Sequence, residues 1–232
     1  RIGNYSLIEK NTNKYYNLAN DTEVKIEWDF TTNTVIENEL KKGQAKITKD
    51  VLDDNNIKLE GVKFNVYNEN NELLETLITN ENGEAITSKY PVRDFNNLII
   101  EEVETLENYV LNDIPQTVEL KANEITDIEF ENEKIKGYIE ITKVSEDDNK
   151  HTGVKANTPL EGVTFEVYDN ENNLVQTLKT DQSGKAKTDL LLKGSYKIKE
   201  IDTGSKWYLL NENEFTATIN NHHEIVPVLI YQ

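Results

Sequence analysis

Cysteine is absent from this 232-residue chain, so no disulfide can brace it, and small domains that work outside a cell then need another staple. No apolar run approaches the length that crosses a bilayer, and Arg1 is not followed by the charged, apolar and small-residue order of a signal peptide. The chain is therefore either cytosolic or a piece of a longer exported protein. Basic residues are scarce: 25 Lys and Arg stand against 43 Asp and Glu, a formal net charge of −18. That balance excludes nucleic-acid recognition, which rests on clustered cations, and describes a solvated acidic surface. The three histidines offer no metal triad or catalytic base, His222 and His223 reading as part of a turn after Asn220 and Asn221. There is no glycine-rich phosphate loop, no nucleophile elbow and no carboxylate pair that can be set around a cleft.

What the chain does contain is Val, Ile, Leu, Tyr and Phe in short alternating runs, which predicts an all-β fold. Residues 196–200 (Tyr-Lys-Ile-Lys-Glu) alternate strictly, so a strand there puts Tyr196, Ile198 and Glu200 on one face and Lys197 and Lys199 on the other. The same element recurs at 98–102, ending in Glu102, and at 5–9, ending in Glu9. An ionised carboxylate facing a core without a partner is costly, so an inward glutamate in every copy requires a chemical reason.

The recurrence extends beyond this strand. Lys42-Gly43 and Lys136-Gly137 each open a new repeat; residues 59–67 match 160–168, Thr76-Leu77 matches Thr177-Leu178, and turns centred on Gly83 and Gly184 follow. Residues 1–42 align with 193–232, with strands expected at 23–30 and 34–38, and read as the second half of a repeat whose first half lies outside the sequence. The predicted organisation is a partial domain at 1–42, a complete domain at 43–136 and a third domain at 137–232. A repeat of about a hundred residues, with about seven short strands and regular turn signals, describes tandem β-sandwiches and not a solenoid.

Counting by twos along the remaining strands places Lys49 in phase with Ala45 and Ile47, Lys143 with Ile139 and Ile141, Asn132 with Ile128 and Phe130, and Asn38 with Ile36. The repeat thus directs a lysine from its first strand, a glutamate from a middle strand and an asparagine from its last strand at the core. First and last strands of a sandwich can lie side by side, which would bring Lys49 to Asn132 with Glu102 nearby. Desolvation lowers the pKa of a lysine and raises that of a carboxylic acid, so such a pair can share a proton as neutral amine and neutral acid. The amine is then a nucleophile. The acid can hydrogen-bond the carboxamide oxygen, polarise its carbon and carry protons to the leaving nitrogen. Held together in a dry core at very high effective concentration, the groups are expected to form a Lys–Asn isopeptide bond with loss of ammonia.

Lys49, the 59–67 strand, Gly83, Glu102, Tyr109 and Asn132, in this order and largely repeated in the next copy, resemble the B-type repeat of Gram-positive collagen adhesins, also called SpaA-type or prealbumin-like pilin domains. The resemblance covers both full repeats and the half repeat. It implies tandem immunoglobulin-like, prealbumin-like β-sandwiches, the first incomplete, that serve outside the cell as the stalk of a wall-anchored adhesin or as a pilus module. It also implies an autocatalytic Lys–Asn bond with an acidic helper. Carried over by position, Lys49 and Asn132 are joined with Glu102 as helper. Lys143 and Glu200 take the same places in the third domain, and Glu9 and Asn38 in the first segment. No cofactor, no metal and no turnover of an external substrate is expected. The expected partners are neighbouring domains of the same surface protein or pilus subunits; the alternative is a module that recognises a host extracellular matrix protein or glycan.

Two places depart from the pattern. Gln232, in phase with Val228 and Ile230, stands where Asn132 stands in the middle repeat; either the third domain uses glutamine, or it lacks the bond, or this register is one residue early. No lysine strand precedes Glu9 and Asn38, so their partner would come from sequence outside the chain or from another chain. Plainer readings compete for several residues. Lys49 and Lys143 can be strand-end lysines that snorkel to solvent, and Glu101 and Glu104 read as solvated. The turns at Asp53, Asp54, Asn55 and Asn56 and at 146–149 superficially resemble calcium loops but lack the full ligand pattern with its terminal glutamate. Trp28, Trp207, Tyr15, Tyr16 and Tyr208 are expected in cores and domain junctions rather than on a ligand face.

Overall fold

The structure, a computed structural model, describes residues 1–52 and 54–232, and among these it consists of strands and turns without a helix. Asp53, from one of the Asp/Asn turns, lies outside the described residues. The first segment forms an antiparallel ribbon of β1 (Gly3–Leu7) and β2 (Thr22–Ile26), in register from Gly3 opposite Ile26 to Leu7 opposite Thr22. Glu9 falls just past β1 rather than inside a strand, β2 ends before the predicted 23–30 run does, and 34–38 forms no strand. A strand persists only where a neighbour completes its ladder. Here the chain is pinned instead by single bonds around a Tyr16–Leu40 bridge, Asn17 N–H to the Glu39 carbonyl and Lys41 N–H to the Tyr15 carbonyl.

The middle repeat runs through β3 (Lys42–Val51), β4 (Asp54–Lys58), β5 (Lys63–Tyr67), β6 (Leu73–Ile78), β7 (Glu84–Ile86), β8 (Tyr90–Pro91), β9 (Asn97–Glu104), β10 (Gln116–Glu119) and β11 (Ile125–Asn132). In one sheet β3 pairs parallel with β11 and antiparallel with β4, β7 and β8 along its length. The other sheet has the antiparallel order β10-β9-β5-β6. First and last strands are therefore neighbours, with Ile47 beside Ile128 and Lys49 beside Phe130. Along β3 every second residue from Gly43 to Val51 is buried, as alternation requires of a strand with one face on a core. Ala45, Ile47 and Phe130 from one sheet meet Phe64, Val66, Leu98 and Ile100 from the other, the Phe64 and Phe130 rings packing tilted at 4.9 Å. Full burial of the Val, Leu, Ile and Phe side chains among these stabilises by roughly 1.5–3 kcal/mol each.

The last repeat follows the same plan with β12 (Lys136–Val144), β13 (Thr164–Tyr168), β14 (Leu174–Lys179), β15 (Lys185–Lys187), β16 (Leu191–Leu192), β17 (Gly194–Asp202), β18 (Glu214–Ile219) and β19 (Ile225–Tyr231). β19 lies parallel to β12, which also pairs with β15 and β16, over a second sheet ordered β14-β13-β17-β18. Ile139, Ile141, Phe165, Val167, Ile198, Ile219 and Ile230 form its core. The chain divides into two compact units, Arg1–Glu107 with Leu111–Asn132, and Asn108–Val110 with Glu133–Gln232. The all-β tandem sandwich predicted from alternation is the observed fold.

One irregularity recurs in both repeats at the same place. Lys63 stands opposite Glu104 but Phe64 opposite Glu102, and Thr164 opposite Asp202 but Phe165 opposite Glu200, so β9 and β17 each carry a bulge directly after the glutamate. The extra residue breaks the alternation there. Glu102 and Glu200 thereby become the last buried side chains of their strands.

Candidate functional site

Lys49 comes from β3 and Asn132 from the end of β11 in one sheet, and Glu102 from β9 in the facing sheet. All three are buried, Lys49 and Glu102 completely. Lys49 Nζ lies 2.8 Å from Glu102 Oε2 and donates to Asn132 Oδ1 at 2.5 Å, while Asn132 Nδ2 donates to Glu102 Oε1 at 2.5 Å and to Thr105 Oγ1 at 2.6 Å. The carboxamide is thus turned the opposite way from the sequence expectation, with its nitrogen and not its oxygen on the acid. Donor and acceptor chemistry explains the choice: an ammonium can only donate and takes the carbonyl oxygen, and a carboxylate can only accept and takes the NH₂. Glu102 then stands at the nitrogen that would leave.

Burial costs the Lys49 ammonium more than its partners return. Desolvation is the largest influence and holds its pKa below the ordinary lysine value, against the hydrogen bond and charge of Glu102 and the weaker pull of Glu131 and Asp50. The snorkelling reading of Lys49 and Lys143 therefore does not hold, since neither side chain reaches solvent. Their backbones are equally constrained. The Lys49 N–H donates to the Gly83 carbonyl at 2.7 Å and its carbonyl accepts from Leu59 N–H at 3.2 Å; Lys143 does the same with Gly184 and Leu160 at 2.8 and 3.0 Å. Gly83 has φ of 69° and Gly184 of 71°, and a Cβ on either would stand 2.6 or 2.5 Å from the lysine carbonyl oxygen. Only glycine lets the turn close on the strand there.

The last repeat keeps the acid and the amine but not the third group. Lys143 Nζ lies 2.8 Å from Glu200 Oε2, both side chains fully buried, and burial again holds the amine's pKa low against the pull of Glu200. Its other partner is the backbone carbonyl of Tyr231 at 2.9 Å. The register places Ile230 beside Lys143 as Phe130 lies beside Lys49. Glu146 N–H meets the Gln232 carbonyl at 3.0 Å as Leu52 N–H meets that of Asn132 at 2.9 Å. Gln232 therefore occupies the backbone position of Asn132. Its longer side chain swings away, the amide nitrogen donating to the Leu209 carbonyl and Oε1 left without a hydrogen-bond partner among the described residues. The structure does not bring Gln232 to Lys143.

In the first segment the acid and amide meet, and no lysine joins them among the described residues. Asn38 Nδ2 donates to Glu9 Oε2 at 2.6 Å, to the Asn17 carbonyl at 2.8 Å and to Thr12 Oγ1 at 3.3 Å. Glu9 also accepts from Ala19 N–H at 2.7 Å; that backbone bond first, and Asn38 second, hold its carboxyl below the ordinary carboxylate range. Thr105 and Thr12 escaped the sequence reading. The signal was present, since a threonine follows the glutamate by three positions in every copy, at Thr12, Thr105 and Thr203.

The aromatic residues depart from expectation. Trp28 is 79% exposed in a turn beyond β2, and Trp207 is 48% exposed with its indole stacked on His151 at 5.0 Å. Both sit in turns outside the strands; Tyr15, Tyr16 and Tyr208 are half-buried. In the 146–149 turn, Asp148 accepts from Lys155 Nζ at 2.8 Å and from Ala156 N–H at 3.0 Å, so this carboxylate anchors its own loop.

The sequence pattern that defines the SpaA prealbumin-like fold domain matches residues 43–134 and 137–228. The solved structure of the Bacillus anthracis TIE protein is similar over 99% of this chain and 41% of that one, with a TM-score of 0.80 and 29% identity. The trypsin-resistant surface T6 protein of Streptococcus pyogenes serotype M6 is 40% identical over 63 residues, 27% of this chain and 12% of that protein. Colossin-A of Dictyostelium discoideum is 27% identical over 152 residues, 61% of this chain and 1% of that protein. The chain spans less than half the length of each of these relatives.

Proposed function

This chain belongs to the family of SpaA prealbumin-like fold domains, and from that premise we propose that it is a structural module of a Gram-positive surface protein or pilus, locked in its middle repeat by an isopeptide bond between Lys49 and Asn132. The observation that carries this reading is the dry contact of amine, acid and carboxamide in the middle repeat. Lys49 passes a proton to Glu102, and its free amine attacks Asn132 Cγ. The new N–C bond forms as the Cγ–Nδ2 bond breaks, Glu102 delivers that proton to the departing nitrogen and takes the second proton of the attacking amine, so that ammonia leaves and Glu102 ends as the neutral acid. A buried ion pair is a poor stabiliser because both charges lose their hydration. Condensation removes the ammonium and leaves a neutral amide in its place, so folding and bond formation favour each other.

The mechanical consequence follows from topology. The bond ties the first strand of the repeat, β3, to its parallel neighbour β11, the last. Pulling force entering along one strand and leaving along the other would run through covalent bonds, and the sandwich between them would bear none of it. The relative named as a trypsin-resistant surface protein supports an extracellular location and a role in resisting proteolysis. In this role the chain turns over no external substrate, and its partners are neighbouring domains or other pilus subunits. A second reading, recognition of a host matrix protein or glycan, draws on the exposed Trp28 and Trp207; binding to a matrix panel that disappears on replacing either tryptophan by alanine would favour it. The deciding experiment is the accurate intact mass of the chain with a digest. Loss of one ammonia mapped to a Lys49–Asn132 cross-linked peptide is expected, and an unmodified mass would sink the bond.

A further inference from the structure

We infer that Thr105 is a fourth group of the cross-linking site, the positioning residue that holds the Asn132 carboxamide for attack; this rests on the isopeptide reading above. Both N–H bonds of Asn132 Nδ2 are taken, one by Glu102 Oε1 at 2.5 Å and the other by Thr105 Oγ1 at 2.6 Å, while Lys49 holds the oxygen. With every polar atom of the amide engaged by a different strand or loop, its plane cannot rotate about the side-chain bond. Glu102 and Lys49 alone leave the second N–H free, and an amide held at two points on one edge can still tilt its carbon away from the amine. Reaction through near-attack geometry is sensitive to such misplacement.

The three copies provide an internal control. Where asparagine is present, the threonine three positions past the glutamate touches its amide nitrogen: Thr105 on Asn132, and Thr12 on Asn38 at 3.3 Å. Where glutamine stands instead, Thr203 turns its hydroxyl to the Ser205 carbonyl at 2.7 Å. The hydroxyl thus follows the carboxamide and not the fold, since the strand, bulge and glutamate are common to the middle and last repeats. In the reaction Thr105 gains and loses no atoms. It accepts a hydrogen bond from Nδ2 while the Cγ–Nδ2 bond breaks, and the proton that completes ammonia comes from Lys49 by way of Glu102.

The test is a time course of ammonia loss by intact mass on the full chain made by cell-free synthesis, for the native sequence, Thr105→Val and Thr105→Ser. Valine keeps the shape and removes the acceptor. The expected result is formation slowed about tenfold in T105V, the equivalent of one hydrogen bond, with recovery in T105S and with unchanged circular dichroism. T105V reacting at the native rate overturns the inference while leaving the bond itself intact. A native chain that never loses ammonia overturns both. A T105V chain that does not fold is replaced by Thr105→Ala, for which native-rate reaction counts equally against the role.

Discussion

The middle and last repeats follow the same sandwich plan with the same buried amine and acid, and their sites differ in the group that completes them. Lys49 and Lys143 are both fully buried, both lie 2.8 Å from their glutamates, and both have amines held below the ordinary pKa by burial. In one case the third partner is a side-chain carboxamide that can be attacked, and in the other it is the Tyr231 backbone carbonyl, part of the strand itself. The pair teaches that a buried lysine against a glutamate does not by itself assemble the proposed site. A carboxamide must also reach the amine, and one additional methylene lets Gln232 reach Leu209 instead of Lys143.

The largest expected effect comes from breaking the better-equipped half. Asn132→Ala should abolish the ammonia loss and release a loop of 83 residues, worth about 4.5 kcal/mol by the loop-closure arithmetic used for disulfides. Calorimetry should then show the middle repeat melting far earlier, while Lys143→Ala leaves the measured mass loss unchanged. The converse change, Gln232→Asn, shortens the side chain so that it no longer reaches Leu209, and a second ammonia loss mapped to Lys143 is expected in part of the population. Its absence would mean that Gln232 length is not what separates the two repeats.

A smaller effect should treat the repeats alike in stability and differently in chemistry. Gly83→Ala and Gly184→Ala each force a Cβ against the lysine carbonyl at positive φ, at a cost of roughly 1–3 kcal/mol. Thermal melts should fall in both, but only G83A should also slow ammonia loss, because it displaces Lys49, the amine of the proposed bond. The smallest effect is on pH dependence. Lys143 has a folded-state pKa below its ordinary 10.5, so the unfolded chain binds the proton more tightly. The last repeat should therefore gain stability as pH rises through the folded value toward about 10.5. In the middle repeat the Lys49 nitrogen, once an amide, no longer titrates. Denaturant melts at a series of alkaline pH values, compared with Lys143→Met, should show this slope in the last repeat alone.

Much of this was legible from alternation. The inward phase of Lys49, Lys143, Glu102, Glu200 and Asn132 follows from counting by twos, and β3, β9, β11, β12 and β17 are buried in that phase. The first segment was less legible. Residues 34–38 have strand composition, yet strand formation there depends on a ladder partner that local sequence does not supply. The tryptophans were misplaced for a related reason: an apolar side chain in a turn is buried only if another element comes to cover it.

By itself the sequence determined the tandem all-β repeats, the face on which each inward lysine, glutamate and asparagine lies and the recurrence of glutamate and glycine, because strand phase and turn conformation are properties of neighbouring residues. The tertiary structure alone decided which groups touch. The orientation of the Asn132 carboxamide, its hydrogen bond to Thr105 and the turning of Gln232 toward Leu209 depend on distances across two sheets and a loop, where a methylene or a single hydrogen bond selects among conformations that the local chain allows equally.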